Sequence, residues 1–260
     1  MAKTLSFPTL LLAFMVLAGN AAAGERIASI AIPAGTTVSL ISGEATILCP
    51  EDASAVALSK GDPVKTACEI ATGPSSRLEL VLPDRSVIRF AEKTTFVLIS
   101  AEGSASGPRD VRLRLQTGKI WSFVRRAIGK PDRFDVSCQN AVAGVRGTVY
   151  QVAVFQDQSA VVKVFEGAVW VSSPLKVQPP AASQAQPAPI EGPRAVPGPE
   201  PVSLEKWSFI VAAKQQIAIS ADGRAGLPET FADAPDADDW LDWNRHRDRT
   251  LRSSQGVVSP

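Results

Sequence analysis

AVAGVRGTVYQVAVFQDQSAVVKVFEGAVWV, residues 141–171, is the stretch on which the fold turns. Two apolar runs meet there at the polar segment Gln156-Asp157-Gln158-Ser159. Val149, Gln151 and Ala153 share one face at period two, and Tyr150, Val152 and Val154 share the other, which is a strand period and not a helical one. The segment predicts a buried antiparallel hairpin. Gly147 and Thr148 open its first strand, and Glu166 and Gly167 interrupt its second. These residues are expected to set backbone geometry, because glycine reaches conformations that other residues avoid. The hairpin's apolar faces neither move protons nor ligate metals, so they point toward binding and scaffolding.

Similar runs lie upstream of the hairpin: ATILC (45–49), VKTACEI (64–70), RLELVL (77–82), SVIRF (86–90) and IWSFV (120–124). Further upstream, SIAI (29–32) reads as another short strand. One device recurs ahead of an apolar strand, a polar pair with glycine in a turn. It occurs at Lys60-Gly61-Asp62, Thr117-Gly118-Lys119 and Glu166-Gly167, and without glycine at Lys214-Gln215-Gln216. Pro83-Asp84-Arg85 forms a tight turn in which proline presets φ. Turn signals about every ten residues predict an all-β fold of short strands, a sandwich, roll or solenoid-like winding, with a C-terminal helix.

The ends define the organisation. Residues 1–23 read as a secretory signal, with Lys3, an apolar core over 10–18 and Ala21-Ala22-Ala23 as a cleavage site. An uncleaved N-terminal anchor is the alternative. The expected β domain spans 24–172 and a Pro-rich disordered insertion 173–203. Strands returning to the same domain follow over 204–235, then a helix over 236–252. That helix has acids in its first turn and arginines later, which suits the helix dipole.

Loss of residues 1–23 would remove one cation, Lys3, from 27, leaving 26 against 26 Asp and Glu. A balanced chain argues against a nucleic-acid partner. Residues 109–146 nevertheless carry nine basic side chains against three acidic ones. Arg112 and Arg114 alternate there with Leu113 and Leu115, as on a solvated strand face or a surface for an anionic partner. No stretch is long and uncharged enough to predict a membrane span.

Three cysteines allow one disulfide and one thiol. Cys49 and Cys68 flank a loop and form the candidate pair, while Cys138 sits in an apolar run as a buried thiol. The lone histidine, His246, lies among arginines, so neither a Ser-His-Asp triad nor a histidine-bound metal has support. Asp236, Asp238, Asp239 and Asp242 read as helix-cap charges, although they are also the only carboxylate cluster for an enzyme. No cofactor is implied. Trp240 and Trp243, three apart, read either as a stripe docking the helix or as a partner surface.

Five pieces in order carry a resemblance: RLELVLPDRSVIRF (77–90), RLRLQTGKIW (112–121), PDRFDVSC (131–138), Arg146-Gly147-Thr148 and EGAVWV (166–171). Together they resemble the FecR-like domain of bacterial envelope proteins, over about residues 60–172. The family's first loop reads Asp-Gly-Ser, and here Arg85 replaces that glycine. DDWLDWNRHRD (238–248) also resembles the tail of exported members. Founding members join a cytoplasmic anti-sigma segment through one helix to a periplasmic β module that senses an outer-membrane transporter. The cytoplasmic and membrane parts find no counterpart here, so sigma-factor control is not carried over.

The resemblance implies an exported, periplasmic, non-catalytic module that binds or senses envelope proteins. The alternative is a cell-wall or polysaccharide-binding protein that stacks sugars on Trp121, Trp170, Trp207 or the helical pair. A carboxylate-dependent hydrolase is the third reading.

Overall fold

The computed structural model describes residues 35–104, 107–126, 132–174, 207–232 and 239–254. The expected signal segment, the SIAI strand and almost all of the Pro-rich stretch lie outside these residues, as do Asp236 and Asp238.

The strands in chain order are β1 (Thr37–Ser42), β2 (Ala45–Leu48), β3 (Val56–Ala57), β4 (Glu69–Thr72), β5 (Arg77–Val81) and β6 (Val87–Phe90). They continue as β7 (Thr95–Gly103), β8 (Arg109–Phe123), β9 (Asp132–Ser137), β10 (Val142–Val145) and β11 (Val149–Val154). The last are β12 (Ala160–Glu166), β13 (Ala168–Ser172), β14 (Ser208–Ala212), β15 (Gln215–Ile219) and β16 (Glu229–Thr230), followed by helix α1 (Asp239–Ser254). β1 and β7 are strands that the pattern reading did not separate out.

Hydrogen bonding sorts these strands into two sheets. Sheet A runs β1-β5-β6-β8-β11-β12-β15-β16. Sheet B runs β3-β2-β4-β7-β8-β9-β10-β13-β14. Among the described residues, only β8 and β9 pair in parallel. The sheets bury one core between them: Leu80, Phe90, Ile120, Tyr150 and Val164 from sheet A meet Ile70, Phe96, Leu113, Phe134 and Val171 from sheet B. Phe90 and Phe96 stack across it with ring centroids 3.7 Å apart. Strands of one sheet show alternate burial because only one of their faces meets this core.

Three of the four recurring turn devices, at Gly118, Gly167 and Lys214, are corners at which the chain changes sheet, whereas Lys60-Gly61-Asp62 lies between β3 and β4 of the same sheet. Among the described residues, Gly43, Ser75, Lys93, Gly118, Gly147, Gly167 and Lys214 stand at such crossings, all with positive φ. The expected turn at Thr117-Gly118-Lys119 is not a turn. β8 runs through it, pairing with β7 and β9 in sheet B before Gly118 and with β6 and β11 in sheet A after it. A left-handed residue bends a strand without ending it, which a pattern reading cannot tell from a reversal.

The Pro83-Asp84-Arg85 turn puts Arg85 at φ 64°, so the arginine holds the left-handed conformation that glycine would take at no steric cost. Asp84 shapes the turn from within. Ser86 donates to it from its backbone N–H (2.9 Å) and its hydroxyl (2.7 Å), and Arg109 Nη1 donates from 2.8 Å. Arg109 also donates to Asp132 and to the Arg125 carbonyl. It is therefore buried and does not belong to the solvated part of the basic run.

Cys49, just after β2, is disulfide-bonded to Cys68, just before β4. The bridge closes the loop that carries β3. Cys138 is a half-buried thiol, and burial pushes its pKa up. Removing the bridge with Cys49→Ala and Cys68→Ala together is expected to lower stability by about 3 kcal/mol, the chain-entropy value for a loop of this size. Urea unfolding of the two proteins measures it, and equal midpoints would contradict a structural role.

Candidate interaction face

Each sheet has an outer face, and the two differ. On sheet A the register aligns Glu79, Arg89, Trp121, Gln151, Lys163 and Gln216 in one row. A row this polar reads as a solvent face, yet Arg89 is fully buried and Trp121 nearly so. The cover is α1. Trp240, Leu241 and Trp243 pack with Ala91, Trp121, Val149 and Phe165 in a second apolar cluster, which explains why all six residues of β11 are buried.

Charge fastens the helix at the centre of this contact. Arg89 Nε donates to Glu79 (2.6 Å), and its Nη1 donates to Asp248 (2.6 Å) and to the Asn244 side chain (3.2 Å). Trp121 Nε1 donates to the other oxygen of Asp248 at 2.9 Å. Arg247 forks onto both oxygens of Glu79 at 2.7 Å. Two cations and two carboxylates thus balance in a buried array, the condition under which charges are tolerated away from water. Burial pushes Glu79 up, but hydrogen bonds from Arg247, Arg89 and Ser39 outweigh it and hold the carboxyl at about 2. Burial pushes Asp248 up, against the opposing pull of Arg89 and Trp121. Arg77 with Asp239 and Arg252 with Glu166 add ion pairs toward the two ends of the helix.

Among the described residues, no helix covers the outer face of sheet B. Register aligns Ser100, Arg112, Asp135, Gly144, Trp170 and Ile210 across it. The neighbouring row contains Val97, Arg114, Ser137, Val142, Ser172 and Ser208. Trp170 is 59% exposed and Ile210 67%. Gly144, beside Trp170, has no side chain, so the ring stands over a shallow cleft of about 530 Å³ bordered by Asp135, Arg133 and Arg146. Arg133 pairs with Asp135 at 2.6 Å and Arg112 with Asp110 at 3.1 Å, so polar groups frame an apolar strip. An exposed tryptophan next to isoleucine and arginine is the composition of a binding hot spot.

The sites expected from the sequence sort onto this geometry. Arg112 and Arg114 lie on the outer face of sheet B with Trp170. Trp240 and Trp243 do not form a free partner surface: Trp240 is buried against sheet A, and Trp243 is half-buried, with Arg77, Arg89 and Arg247 around its ring. The apolar stripe of α1 docks the helix, because water-exposed indoles beside an uncovered Trp121 would leave more apolar surface hydrated. Gly147 and Gly167 are corner residues, and a Cβ on Gly167 would sit 2.7 Å from the Thr148 methyl. Thr148 is buried, and Glu166 receives Arg252. Arg146 reaches Asp132 at 3.2 Å and so steadies the partner of Arg109. Of the sugar-stacking candidates, Trp121 is buried, Trp207 is half-buried and donates to the Gly223 carbonyl, and Trp170 is open. His246 is exposed. Among the described residues, no three His, Cys, Asp or Glu side chains converge as a metal site, and no helix is long and apolar enough to cross a membrane.

Residues 69–170, the segment from β4 into β13, match the family model described as FecR protein. Two solved structures resemble the chain, both of a candidate anti-sigma factor from Parabacteroides distasonis. They are 18% and 17% identical and cover 68% of this chain, each with a TM-score of 0.45. The match spans 64% and 63% of those chains, under two thirds of their length. No curated protein matches this chain.

Proposed function

We propose that this protein is a non-catalytic interaction or sensing module of the bacterial periplasm, which binds other envelope proteins through the outer face of sheet B. The observation that carries the reading is the exposed Trp170–Ile210 strip on the uncovered sheet, flanked by Arg133 and Arg146. Export is supported by the signal pattern of residues 1–23 and by the Cys49–Cys68 bridge, since disulfides persist in oxidising compartments. A non-catalytic role is supported by the use of the buried carboxylates Glu79, Asp84, Asp132 and Asp248 as arginine partners. The match of residues 69–170 to the FecR protein model adds the expectation of a regulatory partner.

Binding of cell-wall glycan is the second reading, favoured by one feature. The Trp170 ring beside Gly144 offers a flat apolar platform with polar neighbours. A photo-crosslinking residue at position 170, expressed in exporting cells, is expected to capture an envelope protein, whereas the same residue at position 246 on the opposite side captures none. Trp170→Ala should weaken binding of the identified partner about 30-fold or more, as loss of a hot-spot tryptophan does. Retention on purified wall glycan that depends on Trp170, without a protein adduct, would replace the first reading by the second.

A further inference from the structure

A strand at the end of a sheet exposes unpaired N–H and C=O groups, and folded proteins blunt such edges by shortening, charging or covering them. Among the described residues the two sheets end in four edge strands, and three of these are blunted. β3 and β16 are two residues each. β1 is tied to the loop before β4: Val38 N–H donates to the Asp62 carbonyl (3.0 Å), Gly61 N–H to Val38 (2.8 Å) and Val64 N–H to Thr36 (2.9 Å).

β14 is the exception. Its sequence SFIVA runs for five residues without a charge or a proline. The Trp207 carbonyl accepts from Ser173, on the β13 side, so by alternation Phe209 and Val211 also turn their backbone groups toward β13. Ala212 N–H points the other way, to the Gln215 side chain at 3.0 Å. Ser208 and Ile210 therefore direct their N–H and C=O groups outward. Among the described residues no strand pairs with that side.

We propose that β14 is a dimerisation edge at which two copies of this chain pair antiparallel about a two-fold axis through Ile210. The strand is self-complementary in that arrangement. Ile210 faces Ile210 of the second copy and exchanges two hydrogen bonds with it, Phe209 faces Val211, and Ser208 faces Ala212. A two-fold interface sets each residue against its mirror position, so any charge near the axis would meet its own sign. β14 has none. The exposed row then continues across the axis as Trp170, Ile210, Ile210 and Trp170, which joins two solitary apolar strips into one. Edge pairing leaves the outer face of sheet B open, so dimerisation and partner binding at Trp170 are separable.

Sedimentation equilibrium of the chain from residue 24 to residue 260 is expected to show a reversible monomer–dimer system. Ile210→Lys should weaken it by about 30-fold or more through like charges at the axis. Because Ile210 is exposed and its N–H faces away from β13, Ile210→Lys and Ile210→Pro are both expected to keep the wild-type circular dichroism and to be monomeric. In a Cys138→Ala background, Ile210→Cys should oxidise to a covalent dimer, and Val56→Cys at the far edge should not. A protein that stays monomeric at all concentrations overturns the proposal. So does a dimer that survives Ile210→Lys or crosslinks as readily through position 56.

Discussion

Arg89→Ala is expected to undock α1 from sheet A, weakening the helix's attachment by about 3–5 kcal/mol, the usual loss when one member of a buried ion array is removed. The guanidinium is fully buried and links sheet to helix in one group, holding Glu79 on β5 and Asp248 on α1. Without it, Asp248 keeps only the Trp121 indole as a sheet partner, and its charge remains desolvated. Hydrogen exchange of α1 and tryptophan emission both read the release, since Trp121, Trp240 and Trp243 lie in or beside the contact. The double variant Arg89→Met with Asp248→Leu should recover most of the loss, because it removes both charges and leaves Glu79 paired with Arg247. If the double variant is no better than the single one, the unpaired-charge account fails.

Acid tests the same array. Glu79 is held at about 2 when folded, against an ordinary value of 4.5. A carboxyl with a lowered folded pKa stabilises fully above its unfolded value, and that contribution disappears as pH falls through the interval to the folded value. Glu79's share of α1 docking should therefore be intact above pH 4.5 and decline toward pH 2. In Glu79→Gln the decline over that interval should be smaller.

Gly118→Ala is expected to destabilise the fold by roughly 3–5 kcal/mol, from strain and overlap combined. Gly118 has φ 99°, and a Cβ there would lie 2.5 Å from the Thr94 Cα, a backbone atom that cannot swing aside. The position matters because β8 passes from sheet B to sheet A at this residue. Two comparisons separate the causes in urea unfolding. Gly61→Ala has φ 96° but meets nothing within 4 Å, so it should show strain alone, about 1–2 kcal/mol. Gly144→Ala has ordinary contacts at 3.4 Å and beyond and should be nearly neutral. Equal losses at positions 118 and 61 would show that the close approach to Thr94 is immaterial.

The legible part of the fold was local. Period-two alternation in residues 149–154 and 160–166 specified the hairpin, and the β11–β12 register follows it with a shift at Val149–Tyr150. Polar-glycine pairs marked where strands change course, although not that the change leads into a second sheet. The candidate face was legible only in fragments. Arg112, Arg114 and Trp170 stood out separately, 56 to 58 positions apart in sequence, and nothing local says that β9 and β10 lie between them in one sheet.

By itself, then, the sequence determined most of the short strands, their two-sided character and the candidate cysteine pair, because each depends on neighbours within a few residues or on one loop. Only the tertiary structure decided which outer face is covered. Alternation tells which side chains share a face, but not what packs on it. Arg89, polar and apparently solvent-facing by pattern, is buried by Asn244 and Asp248 from more than 150 residues away, whereas Trp170, apolar and core-like by composition, stands exposed. Burial is a property of the assembled surfaces, and the energy that holds α1 down comes from pairs that no local stretch of the chain contains.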